Sequence, residues 1–213
     1  MAIDLLAPEV ARHLDALVPP RAPELRAMEE HAAELEFPII GPASGYFCYL
    51  VARIAGARRV FELGSGFGYS TAWFARAMRE NGGGTVHHVV WDEELSRRAR
   101  AHLDALGVGD LVTYHVGEAV EALRGAAGPF DLVFNDIDKR GYPASLDVIA
   151  DKLRPGGVLL VDNLLWSGRI FDDADHSPDT EGVRELTRRV TTDPRWIASV
   201  VPIRDGLLVA YKR

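Results

Sequence analysis

Val158-Leu159-Leu160-Val161-Asp162-Asn163 is an apolar run that ends abruptly in two oxygen-bearing side chains. Four apolar residues in a row, with no polar alternation, suit a strand covered on both faces, the habit of parallel sheets flanked by helices. A second run, Phe130 to Asp136, has the same form and passes through Phe134-Asn135-Asp136-Ile137-Asp138-Lys139. Two neighbouring strands of this kind bring Asp136, Asp162 and Asn163 to one place with a lysine beside them. That combination is a hard-cation site with a base attached.

Working outward, the chain alternates strand, loop and helix. Strands are predicted at Arg59 to Leu63, Thr85 to Val90, Leu111 to Val116, Phe130 to Asp136, Val158 to Asp162, Ala198 to Pro202 and Leu207 to Tyr211. Helical patterns fall between the first five, at Ser70 to Arg79, Glu93 to Leu106, Ala119 to Gly125 and Tyr142 to Leu153. The alternation predicts a doubly wound, Rossmann-like α/β fold with seven mostly parallel strands. No crossover helix separates the last two strands, and Asp205-Gly206 has the chemistry of a hairpin turn, so the C-terminal strand is expected to run antiparallel.

The first forty residues read as helices, Pro8 to Leu17 and Ala22 to Leu35, split by Pro19-Pro20 and followed by Phe37-Pro38. A third is expected from Ser44, as N-cap, to Gly56. The whole, residues 1–213, is expected to be one domain, with 1–43 as a helical cover. Asp172 to Pro178 is the most loop-like segment, by function or by mere solvation.

Composition closes off several classes. A net charge of -7 disfavours a nucleic-acid partner, because phosphate backbones are held by clustered Lys and Arg. There is no apolar run long enough for a membrane span, and Met1-Ala2-Ile3-Asp4 lacks the start of a signal peptide, so a cytoplasmic protein is expected. The single cysteine, Cys48, sits in Tyr46-Phe47-Cys48-Tyr49-Leu50 and is expected to behave as a buried small hydrophobe.

Glu62-Leu63-Gly64-Ser65-Gly66-Phe67-Gly68-Tyr69-Ser70 follows the first strand and opens a helix. Glycines at these steps permit a sharp turn and the close approach of a ligand, though such a turn also serves as a plain strand-to-helix connection. Its GxGxG spacing differs from the GxGxxG fingerprint of nicotinamide enzymes and disfavours an NAD-dependent oxidoreductase.

Taken in order, these motifs resemble the class I S-adenosylmethionine-dependent O-methyltransferases of the metal-dependent catechol and caffeoyl-CoA type. The resemblance runs from about Gly45 onward and also takes in Leu153-Arg154-Pro155-Gly156-Gly157, Asp162-Asn163-Leu164-Leu165-Trp166-Ser167-Gly168 and Asp205-Gly206-Leu207. It implies that Gly64, Ser65 and Gly66 hold the methionine part of S-adenosylmethionine, with Glu62, Tyr69, Ser70 and Asp136 close by and Glu118 and Ala119 beside the adenine. It implies that Asp136, Asp162 and Asn163 ligate a divalent cation, Mg²⁺ before Mn²⁺ or Ca²⁺, and that Lys139, aided by Asp136, is the general base. A small aromatic acceptor of catechol type and a homodimer follow from the same resemblance. Other acceptors, and a non-catalytic cofactor-binding protein, are the alternatives.

Two positions depart from the family pattern. Val90 stands where relatives place an acid for the ribose hydroxyls, with Asp92 two residues later as its expected replacement, and Gly41 stands where they tend to carry a hydroxyl. The plain readings also stay open: Lys139 as a surface partner of Asp138, Trp166 as a core filler rather than an acceptor wall, and Tyr142 as no more than a helix start. His87, His88 and His115 are expected to be core or edge histidines. Arg169 and Phe171 are candidates for acceptor contact only by their place on the following loop.

Overall fold

In the computed structural model, residues 7–213 are described. Seven strands form one sheet: β1 (Arg59–Leu63), β2 (Thr85–Val90), β3 (Val112–Val116), β4 (Phe130–Asn135), β5 (Leu153–Val161), β6 (Trp196–Val201) and β7 (Leu207–Lys212). Their spatial order is β3-β2-β1-β4-β5-β7-β6. β1 to β5 are mutually parallel, and β7 enters antiparallel between β5 and β6. The chain builds outward from β1 to β3 and then returns to β4 on the other side of β1. The order therefore reverses between β1 and β4, and a crevice opens at their C-terminal ends, where ligands of open α/β sheets bind.

Side chains alternate across the sheet, so each strand feeds two cores. On one face Val60, Leu132, Phe134 and Leu160 pack under α2 (Pro23–Glu34), α3 (Gly41–Ile54), α4 (Tyr69–Glu80) and α5 (Glu93–Ala105). On the other, Phe61, Leu63, Val133, Leu159 and Val161 pack against α6 (Ala119–Gly125), α7 (Tyr142–Lys152) and α8 (Pro178–Thr192). The outermost helix, α1 (Pro8–Ala16), has no buried residues; Asp15 Oδ1 accepts from Ala43 N at 3.1 Å. Among the described residues no helix is long and apolar enough to cross a membrane.

Two expectations need correction, and one element was not foreseen. α3 begins at Gly41, so Ser44 is a buried residue inside the helix and not its N-cap; Pro42 in the first turn supplies a preset φ that starts the helix earlier. β5 begins at Leu153, well before Val158, and pairs Leu153 with Phe130 across a register shift. The sequence reading also missed α8, whose Gly182 and four threonines carry poor helix propensity. Burial of Val183, Leu186 and Val190 holds that helix instead.

A candidate active site at the ends of β1, β4 and β5

A cavity of about 570 Å³ lies over the crevice, large enough for a nucleoside-sized ligand and a small acceptor. A smaller compartment adjoins it, and both are walled by Gly64, Gly66, Asp136 and the Phe37-Pro38-Ile39 segment that follows α2. Tyr69, Ser65 and Ser70 line the smaller compartment.

The glycine loop is pressed against the end of β4. Gly64 has φ 82°, and a Cβ there would stand 2.4 Å from the Asp136 carbonyl oxygen, so only glycine lets the two strand ends meet. Ser65 ties the loop to β2 twice: its N–H donates to Val89 O and its Oγ accepts from Val89 N, both at 3.0 Å. Glu62 lies fully buried beneath the loop. Thr71 Oγ1 donates to its Oε2 at 2.5 Å, while Oε1 has no hydrogen-bond partner among the described residues. Burial pushes the Glu62 carboxyl up to about 7, with the hydroxyls of Ser70, Thr71 and Ser65 opposing. Of the three, only Thr71 is at hydrogen-bond geometry. Tyr69 donates to Glu29 Oε1 at 2.8 Å, and Arg21 pairs with the same oxygen at 2.7 Å, fastening α2 over the site.

The β2 and β3 side of the cavity is apolar: Val89, Val90, Trp91, Gly117 and Ala119. Acids are close but committed elsewhere. Asp92 caps α5, accepting from Leu95 N at 2.8 Å, and does not line the cavity. Glu118 caps α6 through Val120 N and Glu121 N and also stays off the lining. Trp91, 71% exposed, is the large side chain facing this space.

The β4 and β5 side is charged. Lys139, on a single 3-10 turn after β4, is largely buried and places Nζ 2.7 Å from Asp136 Oδ1 and 3.2 Å from Ile137 O. Nζ also lies 5.2 Å from the Tyr142 ring centre and 5.8 Å from that of Trp166. α8 backs this turn, and a Cβ on Gly182 would fall 2.2 Å from Lys139 O, so the helix can approach only because that residue is glycine. Asp162 is 1% exposed. Tyr142, itself buried, donates to its carbonyl at 2.8 Å. Burial and the charge of Asp136 push the Asp162 carboxyl up to about 7, against the pull of Arg204.

The donor chemistry here suits a hard cation. Asp162 Oδ1 is buried with no hydrogen-bond partner among the described residues, an arrangement costly to a carboxylate unless a cation or donor meets it. Asn163, held at φ 61°, donates Nδ2 to Asp205 Oδ2 at 3.0 Å, which commits its nitrogen and leaves its oxygen free to ligate. With Asp136 these make an all-oxygen set.

The remaining candidates sort cleanly. Trp166 lines the cavity and donates Nε1 to Thr180 Oγ1 at 3.1 Å. Arg169 pairs with Asp175, and neither Arg169 nor Phe171 lines the cavity. The Asp172 to Pro178 segment is strapped down by Arg184, which donates to the carbonyls of Ile170, Asp172 and Asp175. His87 and His115 stack and share a 3.0 Å contact, His88 meets Thr71 Oγ1 at 3.0 Å, and burial lowers all three. Cys48 is buried, and burial pushes its thiol up. Sequence reasoning missed Trp91, Arg204 and the Phe37 to Ile39 wall. Trp91 had a signal in its place one residue past the end of β2; Arg204 had one in its place beside Asp205-Gly206.

Comparison with known proteins places these features in context. A sequence profile of the O-methyltransferase family matches residues 19–213. The chain is 32% identical over 197 residues to a catechol O-methyltransferase of Niastella koreensis, covering 87% of this chain and 88% of that protein. It is similar in structure to the O-methyltransferase from Bacillus cereus in complex with SAH, at TM-score 0.87 and 27% identity over 96% of this chain and 97% of that one. TomG from Streptomyces achromogenes, an O-methyltransferase involved in tomaymycin synthesis and solved with SAM, gives TM-score 0.86 and 27% identity over 96% of each chain.

Proposed function

The chain belongs to the S-adenosylmethionine-dependent O-methyltransferase family of catechol and caffeoyl-CoA type, and from that premise we propose that it methylates a hydroxyl of a catechol-like or other small aromatic acceptor held by a divalent cation. The observation that carries this reading is the buried, unpartnered Asp162 Oδ1 in the same cavity as Asp136 and Lys139.

In this reading the methionine part of the cofactor lies along Gly64, Ser65 and Gly66, with Glu62, Tyr69 and Ser70 around its polar end. The adenosyl part rests on the apolar wall at Ala119, with Glu118 beside it. Asp92, whose Oδ1 caps α5, would have to offer its other carboxylate oxygen to the ribose. Asp136, Asp162 and Asn163 would hold Mg²⁺, or Mn²⁺ or Ca²⁺ by the same oxygen chemistry; such an ion stabilises an ionised acceptor and fixes its angle of attack. Lys139, in its neutral form, would take the acceptor's hydroxyl proton on Nζ and become the ammonium ion, with Asp136 Oδ1 holding that nitrogen in place. When bound, S-adenosylmethionine would supply the methyl group to that oxygen, its sulfonium leaving as a neutral thioether. Phe37, Pro38 and Ile39 close the cavity from above and keep water from the sulfonium.

The same reading takes the protein to be a cytoplasmic homodimer, for which the exposed Leu50 and Ile54 on α3 are apolar surface to cover. A direct test is methylation of catechol with and without EDTA. Turnover should collapse on chelation and return with Mg²⁺; activity indifferent to EDTA removes the cation from the mechanism.

A further inference from the structure

Asp162 has a second relationship that the methyl-transfer chemistry does not call for. Its Oδ2 accepts from Arg204 Nη1 at 3.1 Å. Arg204 sits on the turn between β6 and β7 with φ 50°, a left-handed conformation disfavoured for a residue with a Cβ. The turn is fixed to the loop after β5: Leu165 N donates to Asp205 O and Leu164 N to Gly206 O, both at 2.9 Å. Asp205 also takes Ser167 N at 2.6 Å and Asn163 Nδ2 at 3.0 Å. Arg204 is thus presented to the cavity by a rigid platform at some backbone cost.

Each of the two candidate cation-binding carboxylates already has a cation of the protein on it, Lys139 on Asp136 and Arg204 on Asp162. A divalent ion that reaches Asp162 meets a guanidinium on the same carboxylate. Like charges sharing one carboxylate, partly shielded from water, repel strongly enough to matter for affinity.

Resting on the cation reading of this site, we infer that Arg204 is a built-in competitor for Asp162, a positioning residue that sets how much divalent cation the protein needs before its acceptor site is loaded. At low cation concentration the guanidinium holds Asp162; at higher concentration it yields the carboxylate and turns toward the open cavity, where it remains 37% exposed even when paired.

Mn²⁺ binding to the full chain, followed by electron paramagnetic resonance at fixed ionic strength without cofactor or acceptor, tests this apart from turnover. Arg204→Gly suits the left-handed backbone and so should fold; Arg204→Gln keeps the bulk without the charge. Both should bind Mn²⁺ at least about tenfold more tightly than the parent. Arg140→Gln removes another arginine of the cavity lining, one paired with Asp179, and should change affinity less than about threefold. Unchanged affinity in the Arg204 variants overturns the competition and leaves the cation reading standing. An equal gain in Arg140→Gln also overturns it, by showing a general field. Absence of Mn²⁺ binding in every form overturns both.

Discussion

The two walls of the cavity are built on opposite rules. Along β2 and β3 the surface is apolar, and the nearby acids, Asp92 and Glu118, spend their carboxylates on helix N-termini. Along β4 and β5 one carboxylate, Asp162, is buried with an oxygen short of a partner, the other, Asp136, is half-buried, and cations of the protein lie beside both. One wall recognises by shape and main chain; the other by charge held out of water, where an electrostatic interaction is worth most. Under the proposed function, the contrast makes binding the donor and activating the acceptor separable tasks that meet where Gly64 touches Asp136.

That separability can be broken or sharpened. The largest effect should come from Lys139→Ala, which should lower kcat by about 10²- to 10⁴-fold while calorimetry shows S-adenosylmethionine affinity unchanged within about threefold. Equal losses in both would mean that the lysine supports the fold instead. Next, Gly64→Ala attacks the point of contact. A Cβ 2.4 Å from Asp136 O on a residue at φ 82° should cost about 2 to 4 kcal/mol in chemical denaturation and weaken donor binding and turnover together. The smallest effect belongs to Trp91→Ala, which should weaken S-adenosylmethionine binding by about tenfold with kcat at saturation little changed. If kcat fell as far as affinity, the apolar wall would be shaping the reaction as well.

Much of this was legible beforehand because it is local. β1 and β2 run over the residues their apolar runs mark, and the hairpin forms at Asp205-Gly206. Asp136, Asp162 and Lys139 gather in one cavity because strand ends in a parallel sheet share a direction. What stayed hidden depends on distant partners. α8 forms by burying Val183 and Leu186 in spite of its propensity, and Gly182 gains meaning only when Lys139 O lies against it. The Arg204 pairing joins residues 42 apart in sequence through a turn whose geometry no spacing rule describes. Asp92 shows the converse: its sequence position suited a ribose, and in the structure its Oδ1 caps α5 and the residue stays off the cavity lining.

The insertion of β7 between β5 and β6 has a bearing on how the protein is made. β5, with Asp162 just beyond its end, presents an unpaired edge until residues 207–212 have left the ribosome, although the glycine loop and β1 to β4 can assemble long before. During synthesis the chain therefore passes through an interval in which β1 to β4 can be in place while β5 is an open apolar border. β7 is the strand that seals it, and a nascent chain stalled in that interval carries an edge open to pairing with another.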